Sequence, residues 1–293
     1  MPSFRSEAEV SRGPIWITGS GGLIGGCLVR TASRFAPGFT VEGLTRAQLD
    51  LSDFHLLRQE FRSRRPQAVI HCAALSRSPE CQANPALARK LNVEVTAVLA
   101  DLAAAIPLVF FSTDLVFDGK TGNYTESAPV NALSVYGQTK AAAEQIVLGN
   151  SRHLVVRTSL NGGTSPTGDR GFNEQLRRAW ESGQPVRLYT DEFRSPIPAE
   201  VTAAATWELL LQGRTGLYHV AGKERLARWQ IGQLIAARWP QLQPRIERAS
   251  YRDHPGAPRS PDTSLNCDKA QKVLSFALPG LTEWLAANPR TEF

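Results

Sequence analysis

Two residues able to move a proton, Tyr136 and Lys140, stand four apart where an Ala-rich run begins, in VYGQTKAAAEQIV. On a helix that spacing puts both on one face. An ammonium beside a phenol favours the ionised form, which predicts a lowered proton affinity for Tyr136. The phenol would then serve as general acid or base near neutral pH, as an unperturbed one does not. Earlier in the chain an apolar run, Ile106 to Phe111, has the length of a buried strand. It runs into Ser112 and Thr113, two hydroxyls placed where a strand leaves its sheet, and a polar loop with Gly and Pro then leads to Tyr136. Such a set could protonate or deprotonate a substrate oxygen if the rest of the chain delivers a substrate and a cofactor.

The elements that would position it begin near the N-terminus. Pro14 to Thr18 reads as a strand, followed at once by Gly19-Ser-Gly-Gly22-Leu23-Ile24-Gly25-Gly26 and a helical pattern through Phe35. Strand, glycine turn and helix form the context of a dinucleotide site. The backbone approaches a pyrophosphate there, and the helix N-terminus favours the anion. The spacing of Gly19, Gly22 and Gly25 is GxxGxxG. A second strand, Phe39 to Thr45, ends in Gly43-Leu-Thr-Arg46 with no acid at its tip. An acid there would hold the ribose of NAD, whereas Arg accepts the 2′-phosphate of NADP. NADP(H) is therefore preferred through Arg46, with NAD(H) admitted.

Asp50 and Leu51 precede a helix over about 53–64. Ala68 to Ala74 reads as a third strand, and a loop carries Ser76, Arg77 and Ser78. A helix over 85–105 holds Asn92, either exposed or tying helix to sheet. A fifth strand is expected at His153 to Arg157, and the Gly/Ser/Thr-rich stretch 159–170 is long enough to be a functional loop. Further on come a helix over 172–182, a strand over 186–189 and a rigid loop, Asp191 to Pro198. Helices at 199–211 and 227–239, a strand at 217–220 and short helices near Lys269 and Trp284 complete the pattern. Alternating strands and helices predict an α/β fold, a Rossmann-type doubly wound parallel sheet. Residues 1–160 would form the dinucleotide domain. Residues 161–293 would form mostly a smaller substrate lobe over the sheet's C-terminal edge, with strands returning to the main sheet.

Composition narrows the function. The net charge of +6 is spread along the chain, mostly on Arg, with no basic tract interleaved with aromatics, which argues against nucleic acid. The overall field favours anionic ligands, although an Arg-rich genome explains the charge equally well. Cys27, Cys72, Cys81 and Cys267 form no CxxC and no metal spacing with His, so no metal site is expected. Residues 1 to about 12 are polar and read as loose. No signal-peptide core and no bilayer-length apolar run is present, so no membrane partner and a cytoplasmic location are expected.

With these parts assembled, the chain resembles the extended short-chain dehydrogenase/reductase family, and within it the dTDP-4-dehydrorhamnose reductase branch. The motifs that carry the likeness are TGSGGLIG (Thr18 to Gly25), STDLVFDG (Ser112 to Gly119), Y-x-E (Tyr124, Glu126), VYGQTK (Val135 to Lys140) and VVRTS (Val155 to Ser159). The resemblance implies that Tyr136 protonates a carbonyl oxygen as hydride arrives. Lys140 would bind the nicotinamide ribose and keep the phenol's pKa low, and Thr113 would hold the same oxygen. It further implies cofactor contacts from Gly19, Gly22, Leu23, Ile24, Gly25, Arg46, Asp50, Leu51, Ala73, Ala74 and Ser112. Substrate contacts would come from Ser76, Thr113, Asp114, Leu115 and Leu160, and Arg194, on the Pro-rich loop, is a candidate either for a substrate phosphate or carboxylate or for a helix cap or surface salt bridge. Leu115 and Leu160 replace aromatic residues usual in the branch, so a sugar ring would be held differently. Leu115 also replaces the acid of sugar 4,6-dehydratases, which disfavours elimination. The expected activity is NADPH-dependent reduction of the 4-keto group of a nucleotide-linked 6-deoxysugar. Alternatives are an epimerase, a reductase of another ketone, or an NADP-binding regulatory subunit like that of methionine adenosyltransferase. Dimerisation, common in the superfamily, is expected without an assigned interface.

Overall fold

The computed structural model describes residues 13–291; the N-terminal stretch read above as loose lies outside them. Five strands come first, β1 (Ile15–Thr18), β2 (Val41–Leu44), β3 (Ala68–His71), β4 (Leu108–Thr113) and β5 (Leu154–Thr158). They join the later strand Gly216–Val220 in one six-stranded sheet. Its order is β2, β1, β3, β4, β5 and Gly216–Val220, and every pairing is parallel. The chain winds outward in both directions from the gap between β1 and β3. Ligands of such sheets bind beyond the strand ends at that reversal.

The helices in chain order are α1 (Leu23–Phe35), α2 (Phe54–Arg64), α3 (Ser78–Ala83), α4 (Pro85–Arg89), α5 (Val95–Leu102), α6 (Val135–Leu148), α7 (Phe172–Glu181), α8 (Ala199–Leu211), α9 (Arg228–Ala236), α10 (Asp268–Gln271) and α11 (Leu281–Ala287). Because side chains alternate along a strand, a sheet covered on both faces needs unbroken apolar strands. Ile15, Ile17, Ile70, Val109, Phe111 and Val156 pack with residues of α1 and α8. Trp16, Val69, Leu108, Phe110 and Val155 pack with residues of α2, α5 and α6 on the other face. A third core, built on Leu176, Trp180, Leu188, Ile231, Ile235, Leu281 and Leu285, belongs to the later part of the chain.

Three expectations about elements need correction. The helix read over 85–105 is broken: α3 already starts in the segment read as loop, and a π-helical turn, Lys90–Glu94, joins α4 to α5. The strand Ile246–Ala249 went unread because charged Glu247 and Arg248 hide its pattern. It pairs in parallel with Val186–Tyr189 in a separate two-stranded sheet. The helix read over 227–239 is Arg228–Ala236. Among the described residues no helix is long and apolar enough to cross a membrane.

Trp207 joins the α8 layer to the first helix: it is fully buried, and its Nε1 donates to the Leu28 carbonyl at 3.3 Å. Trp207→Ala is expected to cost about 3–5 kcal/mol in denaturant unfolding, because the cavity left by an indole collapses only in part.

Candidate active site

The six residues of β4 are all buried, and the strand continues through Ser112 and Thr113 before a 3₁₀ turn, Asp114–Val116. The Thr113 hydroxyl caps that turn by accepting from Leu115 N at 3.2 Å and donates to Asp114 Oδ1 at 3.2 Å. Helix α6 starts against this turn. Ser134 caps it by accepting from Gly137 N at 3.2 Å. A Cβ on Gly137 would lie 2.2 Å from the Leu115 carbonyl oxygen, so only glycine lets the first turn of α6 come this close. The approach brings the half-buried Tyr136 within hydrogen-bond reach of Thr113. One turn on, Lys140 is 3 % exposed, and its Nζ sits 3.9 Å above the Phe110 ring centroid.

The structure thus gathers Thr113, Tyr136 and Lys140 at the end of β4, but it reverses one expectation about them. The phenol is not shifted down. Burial pushes its proton affinity up, Asp114 and Cys81 add to that, and the Thr113 hydrogen bond opposes it in part. Lys140 is absent from the groups acting on the phenol. Its charge is felt instead by His71 and Cys72. Burial pushes Lys140 itself down to about 7, against the pull of Glu144 one turn further along α6. Desolvation outweighs the pairing inferred from spacing alone.

Glu144 is fully buried and receives Arg157 of β5 through two hydrogen bonds of 2.8 and 2.7 Å. Arg157 in turn donates to His219 Nε2 at 3.3 Å. His219 donates from Nδ1 towards the carbonyls of Tyr124 and Asn266, and burial holds its pKa at about 3. This chain of polar groups joins α6, β5 and Gly216–Val220 beneath the site.

The glycine turn lies at the reversal of the sheet. Gly19 has a φ of +71°, and a Cβ there would lie 2.6 Å from Ala73 N, so the turn after β1 touches the chain leaving β3. Gly22 is the N-cap of α1, which has no side-chain cap and no acid in its first turn. Leu23, Ile24 and Gly25 open the helix. At the tip of β2, Arg46 is largely exposed and meets Asp50 Oδ2 at 3.3 Å. Asp50 also accepts from the backbone and hydroxyl of Ser52, and Leu51 packs on the apolar face. Ala74 and Ser76, with Arg77, line a cleft of about 250 Å³ closed on the other side by Asp169 and Arg170. Ser112 Oγ is buried and has no hydrogen-bond partner among the described residues.

The residues implied for substrate are divided. Leu115 stays at the end of β4, whereas Leu160 packs against the third core. Asp114 is 4 % exposed and accepts from Ser159 at 2.7 Å and Thr263 at 2.9 Å. Arg194 is equally buried, 2.8 Å from Glu192 and 3.7 Å from Asp114, and donates to the carbonyls of Phe193 and Ser260. Its Nη1 serves two carbonyls and its Nη2 a buried carboxylate, so neither a surface ion pair nor a helix cap describes it.

Sequence reasoning left Asn92 undecided; the structure makes it a bracket. Asn92 Oδ1 accepts from Leu75 N at 2.8 Å, and its Nδ2 donates to Leu75 O and to Thr139 Oγ1. Thr139 donates to the Tyr136 carbonyl at 2.8 Å. The exit of β3 is thereby tied to the turn bearing the phenol. No sequence signal marks the π-helical turn that aims Asn92 there. Glu192 and Arg259, paired at 2.5 and 2.8 Å, were missed as well, since they lie 67 residues apart in sequence.

A parallel doubly wound sheet, a glycine turn after β1, and a Tyr-x-x-x-Lys helix facing the end of β4 define the short-chain dehydrogenase/reductase class, in its extended branch. The profile of the RmlD substrate binding domain matches residues 13–288, and the chain belongs to that family. It is 31% identical over 239 residues to a probable low-salt glycan biosynthesis reductase, Agl14, of Haloferax volcanii, a match covering 75% of this chain and 78% of the relative. It is 26% identical to methionine adenosyltransferase 2 subunit beta of Xenopus laevis, covering 88% and 81% of the two chains. In fold it is similar, with a TM-score of 0.85 at 21% identity and coverage of 94% and 98%, to a dTDP-4-dehydrorhamnose reductase of Bacillus anthracis in complex with NADP.

Two outcomes follow from this geometry. Gly137→Ala drives a methyl into the Leu115 carbonyl and is expected to lower stability by about 1–3 kcal/mol while displacing Tyr136. Calorimetry and cofactor turnover measured together will register both effects. Lys140 is held near 7 against its ordinary 10.5, so between those values the folded protein binds fewer protons than the unfolded chain. Stability should therefore rise with pH across that window. Lys140→Met should flatten that rise, as read from urea midpoints at pH 7 and pH 10.

Proposed function

We propose that this protein is an NADPH-dependent reductase of a carbonyl, the 4-keto group of a nucleotide-linked 6-deoxysugar. The observation that carries the reading is the convergence of Thr113, Tyr136 and Lys140 at the end of β4, across β3 from the glycine turn that follows β1. The residues suit a dinucleotide: α1 has an N-terminus without a side-chain cap, Ser112 has a buried hydroxyl unpaired among the described residues, and Arg46, exposed after β2, is a cation available to a 2′-phosphate. Gly19, Gly22, Leu23, Ile24 and Gly25 hold the pyrophosphate, Asp50 and Leu51 the adenine side, and Ala73, Ala74 and Ser112 the remaining length. NADP(H) is preferred and NAD(H) admitted. The NADP bound by the Bacillus anthracis reductase and the reductase named in Haloferax volcanii support this reading.

The bound cofactor supplies a hydride to the carbonyl carbon. Tyr136, kept protonated by burial, gives its proton to the carbonyl oxygen as negative charge develops there. A protonated phenol is the state a reduction requires, so the raised proton affinity suits this direction of reaction. Thr113, hydrogen-bonded to the phenol, steadies the same oxygen. Lys140 holds the cofactor's ribose, and Ser76 and Leu115 border the sugar. Asp114 and Arg194 act from behind by fixing the wall they belong to, and Leu160 by packing beneath it.

A second reading, an NADP-binding regulatory subunit, is favoured by the match to methionine adenosyltransferase 2 subunit beta over 88% of this chain. NADPH absorbance followed with dTDP-4-keto-6-deoxyhexose separates the two. Wild type is expected to oxidise NADPH, and Tyr136→Phe to lose about 10²–10⁴-fold of that rate while still binding NADPH. Tight NADPH binding without oxidation in the wild type would overturn the ketosugar assignment and leave the subunit reading.

A further inference from the structure

Arg228 is the first residue of α9, where a cation opposes the helix dipole. Its guanidinium lies 4.0 Å over the Phe172 ring at the start of α7. Arg194 and Arg259 act on it as like charges, and Glu192 and Asp114 are the acids in range. Both acids are already committed, Glu192 to Arg194 and Arg259, and Asp114 to Ser159, Thr263 and Arg194. Three guanidiniums thus share two carboxylates. Among the described residues nothing accepts a hydrogen bond from the Arg228 side chain, and no carboxylate lies within 4.0 Å of it. A partly exposed cation kept at the wrong end of a helix, beside two like charges and with unspent donors, is costly to the unliganded protein. Such local costs collect at binding sites.

Its place in the fold fits that reading. Arg228 N donates to the Glu192 carbonyl at 2.9 Å, the Glu192 carboxylate meets Arg194 at 2.8 Å, and Arg194 reaches Asp114, the residue after Thr113, at 3.7 Å. We propose that Arg228 is the anion-binding residue of the substrate cleft and grips the diphosphate that carries the sugar. Arg194, the arginine to which sequence points for this task, is held against Glu192 and two backbone carbonyls. The nucleotide-sugar reading above supplies the identity of the anion; the existence of an anion site rests on Arg228 alone. The planar fork of a guanidinium suits two phosphate oxygens at once, and Phe172 holds the fork flat.

The test is titration of dTDP, and of inorganic pyrophosphate, into protein saturated with NADPH so that the glycine turn is already occupied. Arg228→Gln is expected to weaken dTDP at least about tenfold, the worth of one charged hydrogen bond, and Arg228→Lys to fall between. NADPH affinity should not change. Removing a repelled cation should leave the melting temperature of the unliganded protein equal or higher, while dTDP raises that of the wild type alone. Unchanged dTDP affinity in Arg228→Gln overturns the proposal, as does failure of the wild type to bind dTDP or pyrophosphate. A loss of dTDP binding that comes with a lower melting temperature and lost NADPH binding also overturns it, since the cation would then be structural. If dTDP binding depends on Arg228 but the wild type reduces no ketosugar, the anion site stands and the reductase reading falls.

Discussion

A carboxylate buried at the mouth of the sheet organises everything around it. Asp114 can stay in the interior only because hydroxyls and a guanidinium surround it, and those donors come from four separate segments. Thr113 belongs to β4, Ser159 follows β5, Arg194 lies in the loop before α8, and Thr263 returns from near the C-terminus. Satisfying one charge therefore pins four strand ends and loops together. The Thr113 hydroxyl is adjacent to the group being satisfied, so the rigidity is delivered at the end of β4, beside Tyr136. Nearby, Phe117 and Tyr124 stack at 4.1 Å, and Tyr124 donates to Asp118, which makes most of the STDLVFDG motif scaffolding.

Dehydration sets the chemical character of the pair on α6. In water, an ammonium near a phenol would pull the phenol's pKa down. Here both groups are buried enough that each prefers its neutral form, and the phenol keeps its proton while the lysine titrates near neutrality. A negatively charged ligand entering the cleft would restore the charged lysine, because an opposite charge offsets the cost of burial. The site is tuned in advance for an occupant that brings charge with it.

Much of this was legible in the chain. The glycine turn, the apolar strands and the Tyr136–Lys140 spacing obey short-range rules, and the sheet and the gathered residues at its edge follow from them. What was hidden depends on distant partners. Arg194 looks like any loop arginine until Glu192, Asp114 and Ser260 close around it. Asn92 faces Leu75 and Thr139 only because a π-helical turn re-aims it, and Arg228 reads as an amphipathic helix start. The sign of the Tyr136 shift was misjudged for the same reason, since burial is a property of the assembled fold and not of four-residue spacing.

The strand Gly216–Val220 lies beside β5 at the sheet's edge, and α8 covers the face built on Ile17, Ile70 and Val109. Both are contributed after residue 160. A ribosome that has released only the first 160 residues has made a sheet with the β5 edge bare and one apolar face covered by α1 without α8, the features that invite wrong partners. Correct closure must wait for some 60 more residues, because contacts so distant in sequence cannot form early. Until the strand Gly216–Val220 docks, the edge of β5 stays open to wrong pairing.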